Sequence, residues 1–273
     1  MDNRSLRPPM GSPVRPKKHL GQHFLTDMTV AQRIADSLTG GVGGDVLEVG
    51  PGTGVLTQFL LQRDDIALWA VEVDRDSIAY LKEHFPALTP RLIEGDFLKM
   101  DLHERFPGGL RVIGNFPYNI SSQILFKVLD NRDLVPEVVG MVQREVAVRI
   151  AEKEGSRDYG IMSVLLGAWY DIEYLFTVSE GVFNPPPKVK SAVIRLRRNS
   201  VQSLDCDEKL FVKVVKASFG QRRKMLRNSL RAVFGDFGGA EHSFFTLRAE
   251  ALSVAQFVEL TNWVADNRQE SNV

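Results

Sequence analysis

The chain has 273 residues, 44% of them hydrophobic and 25% charged, enough for one full core and a smaller second one, which excludes a disordered or low-complexity protein. Its one cysteine, Cys206, excludes an internal disulfide, and its longest apolar run, near residues 161–170, is too short to span a bilayer. Net charge is zero, which alone argues against a nucleic-acid binder, but the charges are segregated. Residues 45–105 carry 6 Lys/Arg against 12 Asp/Glu, whereas residues 188–198 hold five Lys/Arg and residues 216–231 six, both without an acid. Residues 1–24 add five more basic side chains against one acid. Three basic surfaces on a neutral chain point to RNA or DNA as partner. With no apolar signal core at the N-terminus, a cytoplasmic protein is expected.

Residues 1–16, rich in Arg and Pro and without periodicity, read as a flexible basic arm. After Lys17–Leu25, the positions Val30, Ala31, Ile34, Ala35 and Leu38 recur at helical spacing, with Thr26 or Asp27 as N-cap. The stretch Asp45-Val46-Leu47-Glu48-Val49-Gly50-Pro51-Gly52-Thr53-Gly54 reads as a buried strand, a turn free of side-chain bulk, and the opening of a helix. Val55, Leu56, Phe59 and Leu60 would form that helix's apolar face. Glycine belongs where backbone must approach a ligand. A dinucleotide fingerprint needs a glycine at the sixth place, which is Val55 here. Glu48, two residues before Gly50, instead makes the stretch resemble that of S-adenosylmethionine (SAM) methyltransferases.

A second strand over 67–73 ends in Glu72, 22 residues after Gly50, where a carboxylate accepts ribose hydroxyl protons. NAD and SAM share that ribose, so Glu72 does not choose between them. A helix near 77–85 and a strand at 91–94 lead to Gly95-Asp96-Phe97. There Asp96 suits an adenine amine and Phe97 the adenine face, although Asp96 alone equally suits a turn. A fourth strand over 110–114 ends in Asn115-Phe116-Pro117-Tyr118, followed by a helix with Ile124, Leu125, Val128 and Leu129 on one side and a strand over 138–142. The alternation predicts a doubly wound, mostly parallel α/β sheet with ligands at the carboxyl ends of its strands, where Glu48, Glu72, Asp96 and Asn115 all fall.

Further on come a helix over 159–169, a strand over 171–178, and a loop stiffened by Pro185, Pro186 and Pro187. A strand over 189–196, a polar linker over 199–205 and a helical remainder broken at Gly220 and Gly235–Gly239 complete the chain. The expected division is therefore an arm (1–16), a cofactor domain (17–199) and a small all-helical domain (200–273).

Asn115–Tyr118 resembles the Asn/Asp-x-Pro-Tyr signature of amino-group methyltransferases, and the chemistry explains the residue types. An adenine amine is a poor nucleophile because its lone pair is delocalised into the ring. The Asn115 side-chain oxygen and the Phe116 carbonyl would hold the N–H groups out of plane, Pro117 would fix the turn, and Tyr118 would stack on a flipped base. Phe183, in the proline loop, suits either the second face of that base or a core anchor for the loop. Attack on a sulfonium methyl needs no general base, and the five histidines are scattered without metal-ligand or triad spacing, so no metal is expected.

Taken together, Gly21–Leu25, Glu48–Gly54, Glu72–Asp74, Gly95–Phe97, Asn115–Asn119, Gln143–Val146, Phe183–Val193 and Phe219–Leu230 resemble the small-subunit ribosomal RNA adenine dimethyltransferases, the KsgA/RsmA family. The resemblance runs from about residue 17 to about 262. It implies a Rossmann-like, SAM-dependent enzyme that dimethylates two adjacent adenines in the 3′-terminal stem-loop of 16S RNA, within an immature 30S subunit, as a monomer. It also implies SAM contacts at His23, Leu25, Gly50, Gly52, Glu72, Asp96, Phe97 and Asn115. RNA contacts are implied at Lys188, Lys190 and a basic C-terminal helix bearing Arg222, Arg223, Lys224 and Arg227. His23 stands where the family often has Asn, Phe116 where Leu is usual, and Lys190 where Asp is frequent. Dimethylation of a large-subunit adenine and a non-catalytic assembly role are the rival readings, with a NAD-dependent oxidoreductase more remote.

Overall fold

The computed structural model describes residues 14–39 and 44–268. By its contacts the chain divides into two units, Met1–Ala147 with Glu173–Arg198, and Val148–Ile172 with Asn199–Val273. The one boundary expected near residue 199 is thus one of three crossings. The apolar side chains of residues 148–172 explain this: Trp169 meets Phe211 edge-on at 6.0 Å and Tyr159 meets Phe219 at 6.2 Å, all within the second unit. Of the expected basic arm, residues 1–13 lie outside the described residues, and Val14 is buried.

In the first unit, strand β1 (Phe24–Leu25) precedes helix α1 (Met28–Ser37). Asp27 caps α1 by accepting from the backbone N–H groups of Thr29 (2.8 Å) and Val30 (3.0 Å). Next come β2 (Asp45–Val49), α2 (Thr57–Leu60), β3 (Ala67–Glu72), α3 (Arg75–His84) and β4 (Leu92–Glu94). The alternation continues with α4 (Leu102–Arg105), β5 (Leu110–Asn115), α5 (Ser121–Asp130), β6 (Glu137–Gln143) and α6 (Arg144–Ala151). After α7 (Ile161–Gly167), which belongs to the second unit, the chain forms β7 (Tyr170–Val178), β8 (Phe183–Asn184) and β9 (Ser191–Arg198).

The seven-stranded sheet has the order β4-β3-β2-β5-β6-β9-β7. Strands β4 to β6 are parallel, and β9 runs antiparallel to β6. Val46, Leu47, Val112, Ile113, Val138 and Val139 are all fully buried, as parallel strands covered on both faces require. Chain order reverses between β2 and β5, so a crevice opens beyond their carboxyl ends. A separate two-stranded pair sets Phe24 opposite Asn184 and Leu25 opposite Phe183, joining the N-terminal segment to the proline loop. The second unit is built on α8 (Glu208–Gly220), α9 (Leu226–Phe234) and α10 (Val254–Asn267).

Candidate active site

The glycine turn after β2 forms one wall of the crevice. Gly52 and Gly54 both have positive φ, at 58° and 77°. A Cβ on Gly52 would meet the Phe24 ring at 2.9 Å, and one on Gly54 the Phe85 ring at 2.3 Å, so neither position admits a side chain. The helix expected from Val55 is shorter than its apolar spacing suggests. Val55, Leu56, Phe59 and Leu60 are buried, but only Thr57–Leu60 is regular helix. Within it the Thr57 hydroxyl donates to Glu48 Oε2 at 2.7 Å. Burial pushes the Glu48 carboxyl up to about 8, outweighing the Thr57 bond, and the charge of Glu72 adds to the rise.

Glu72 ends β3 as a buried carboxylate that holds the turn together. Its Oε2 accepts from Gly52 N–H at 3.1 Å, and its Oε1 from Val73 (2.8 Å) and Asp74 (2.9 Å). Burial raises its pKa, the three backbone bonds oppose that, and the Asp74 charge adds to it. Two carboxylate oxygens offer about four acceptor directions, so capacity remains for a ligand hydroxyl.

A cavity of about 220 Å³ brings together His23, Gly50, Gly52, Glu72, Asp96, Phe97, Asn115, Phe116, Pro117 and Tyr118. Asp96 also caps the turn that follows it, accepting from Leu98 N–H at 2.9 Å, so it is both a turn residue and a cavity residue. Leu25 and Phe183 do not line this cavity. Leu25 is buried in the core and lines a smaller void shared with Glu48 and Asn115. Phe183 is likewise a core side chain, so its ring anchors the proline loop, the second of the two roles its sequence allowed. Sequence reasoning missed Gln22, Val73, Leu98 and Asn119, all on the cavity wall. Val73 carried a signal: an apolar residue between two acids at a strand end, left 54% exposed.

Three residues of the Asn-Phe-Pro-Tyr turn are held by different parts of the chain. Asn115 Nδ2 donates to the His23 carbonyl at 3.0 Å, leaving its oxygen as the free acceptor. Phe116 N–H donates to Met141 on β6 at 3.1 Å, while its ring is buried against Gly114 and Gly140. What Phe116 can offer a ligand is therefore its carbonyl. Tyr118 shares a 2.5 Å hydrogen bond with Ser191 and stacks on His23, ring centres 5.2 Å apart. Burial raises the Tyr118 phenol, against the Ser191 bond, so it stays protonated. His23 Nδ1 lies 2.8 Å from the Pro185 carbonyl, an acceptor only, which fixes the proton on Nδ1.

The basic residues separate into two kinds. Lys188 and Lys190 are exposed on the loop before β9. In the second unit, Gln221–Lys224 is a turn between α8 and α9, not the helix expected. Arg222 in that turn donates to the carbonyls of Arg157 and Tyr159 (2.9 Å to the latter), and Arg227 pairs with Glu241 at 2.7 Å. The side chains of Arg223 and Lys224 are exposed and have no partner among the described residues. Among those residues no cluster of His, Cys, Asp or Glu could hold a metal, and no helix is long and apolar enough to cross a membrane.

A sheet that reverses order between β2 and β5, with a glycine-rich turn on one strand end and the Asn-Phe-Pro-Tyr turn on the other, both on one cavity, defines a class: Rossmann-like SAM-dependent methyltransferases. A dimethyladenosine transferase from Plasmodium falciparum shares the fold, with a TM-score of 0.75 at 23% identity over 90% of this chain and 98% of that one. The 23S rRNA methyltransferase ErmE shares it with a TM-score of 0.64 at 24% identity over 88% and 99%. The Ribosomal RNA small subunit methyltransferase A of Bacteroides thetaiotaomicron is 58% identical over 93% of this chain and 95% of its own length. The protein of that name from Cytophaga hutchinsonii is 57% identical over 92% and 98%. The model of the ribosomal RNA adenine dimethylase family matches residues 14–266. The chain belongs to that family.

Proposed function

We propose that the chain dimethylates the exocyclic amines of two adjacent adenosines in the 3′-terminal stem-loop of 16S RNA, acting as a monomer on an immature small subunit, with SAM as methyl donor. The observation that carries this reading is the anchoring of Asn115 on the cavity wall: one of its two amide N–H groups donates to the His23 carbonyl, which holds the amide in place and leaves its oxygen available as an acceptor.

The cavity suits a nucleoside donor. Gly52 lets the turn pack against the Phe24 ring at the cavity wall, Glu72 has acceptor capacity for a ribose hydroxyl, and Asp96 has it for an adenine amine between Val73, Phe97 and Leu98. When bound, SAM supplies an electrophilic methyl on sulfur. The Asn115 oxygen and the Phe116 carbonyl accept the two N–H groups of the target amine and favour a tetrahedral nitrogen whose lone pair can attack. Tyr118, braced by Ser191 and covered on one face by His23, offers its other face to the flipped base. The amine's surplus proton leaves to water after transfer. Arg223, Lys224, Lys188 and Lys190 supply cations for RNA phosphates.

The small-subunit target rests on relatives 57–58% identical, whereas the large-subunit enzyme ErmE is similar only in fold. Incubation of the chain with labelled SAM and unmodified small subunits, followed by mapping of the label, tests the proposal. Label in two adjacent adenosines near the 3′ end of the RNA is expected; label in large-subunit RNA, or none, would overturn it.

A further inference from the structure

We propose that Asp74, which does not line the cavity, is a positioning residue for methyl transfer, acting as the latch for the N-terminal segment that does. Asp74 caps α3, accepting from Asp76 N–H at 3.3 Å and from the Ser77 hydroxyl at 3.1 Å. Those contacts account for a cap. They do not account for two further ones from residues more than fifty positions away. Lys17 Nζ is hydrogen-bonded to Asp74 Oδ1 and lies 2.8 Å from Asp76, while Gln22 Nε2 donates to Asp74 Oδ2 at 3.2 Å. Gln22 in turn accepts from the Lys17 backbone N–H at 2.8 Å, so both ends of the Lys17–Gln22 turn close on one carboxylate whose side chain is fully buried.

Beyond the latch, Leu20 to Phe24 form a wall of the cavity. The turn docks closely: a Cβ on Gly21 would come within 2.4 Å of Asn119 Oδ1. The segment also carries the His23 carbonyl that fixes the Asn115 amide. A path of direct contacts therefore runs from Asp74 through Gln22 and His23 to the group proposed to hold the target amine. A buried carboxylate with charge-assisted bonds is a stiff anchor, and loss of its cation leaves the charge under-paired. Lys17 is the sensitive member, because the cap contacts of α3 do not involve it.

This inference rests on the cavity being the SAM site, and the experiment separates the two. Binding of S-adenosylhomocysteine to the full chain is measured by calorimetry, with trypsin cleavage after Lys18, a site that every variant keeps, followed in parallel. Lys17→Met and Asp74→Asn are expected to weaken binding about tenfold and to speed cleavage; Asn is as good an N-cap as Asp, so α3 is preserved. Lys17→Arg, which keeps the charge, should restore affinity to within about threefold. Lys17→Met with Gln22→Leu should cost less than the two losses combined, since both act through one carboxylate. A lower unfolding temperature with unchanged affinity in Lys17→Met and Asp74→Asn, or failure of Lys17→Arg to restore binding, would overturn the latch. No binding by the unaltered chain would overturn the cavity assignment itself, and the latch with it.

Discussion

In the proposed mechanism little side-chain chemistry is asked of Asn115 itself. With one amide N–H held by a backbone carbonyl, the side chain is fixed and its oxygen can act as an acceptor. Asn115→Ala should lower the single-turnover methylation rate about 10²- to 10³-fold, the usual loss for one preorganised polar group. Binding of S-adenosylhomocysteine, measured alongside, should change by less than about fivefold. Glu48 is the opposite case, a carboxyl whose charge the fold suppresses. Its folded pKa, about 8, lies above the ordinary value of 4.5, so the folded chain holds a proton that the unfolded chain releases. Stability from this residue is thus present at low pH and lost as pH climbs from about 4.5 to about 8, by up to about 1.4 kcal/mol for every pH unit crossed. Glu48→Gln keeps the Thr57 contact and cannot ionise. Urea unfolding of variant and unaltered chain should agree near pH 5 and diverge in favour of the variant by pH 8.

At the level of elements, the Asn115–Tyr118 turn depends on a close fit between β5 and β6. Gly114 and Gly140 are paired across these strands, and the Phe116 ring occupies the space their missing side chains leave. A Cβ on Gly140 would lie 2.4 Å from Phe116 Cε2. Gly140→Ala should cost about 1–3 kcal/mol in denaturant unfolding, as overpacking does, and should cut methylation by displacing the Phe116 carbonyl. Adding Phe116→Leu should recover part of both losses, since Leu has no atom where the ring edge lies. The short α2 makes a related point. Apolar spacing at Val55, Leu56, Phe59 and Leu60 correctly marked what is buried, but a buried side-chain contact from Thr57 to Glu48 accompanies only a single helical turn there.

For the molecule as a whole, zero net charge conceals a division between cations left exposed and cations that hold the chain together. Arg223 and Lys224 are exposed and unpaired among the described residues, whereas Arg222 serves the carbonyls of Arg157 and Tyr159. Replacing Arg223 and Lys224 with Ala should reduce the salt dependence of RNA affinity, log K against log [salt], by about two in slope. It should leave the unfolding midpoint nearly unchanged. Arg222→Ala should instead lower that midpoint, because two carbonyls lose their donor.

The strand–turn–helix order, the glycine turn, the acid at Glu72 and the Asn115–Tyr118 tetrapeptide were all legible from the residues, because backbone sterics and local periodicity fix them within short stretches. Tertiary structure alone decided which long-range partners complete the site. It put Phe183 in the core and not on the cavity wall, made the Gln221–Lys224 run a turn, and gave residues 148–172 to the second unit. It also brought Lys17 and Gln22 to Asp74. The physical reason is the same in each case: whether an aromatic ring or a cation faces solvent, ligand or core depends on what the rest of the chain places opposite it, and no local pattern encodes that neighbour.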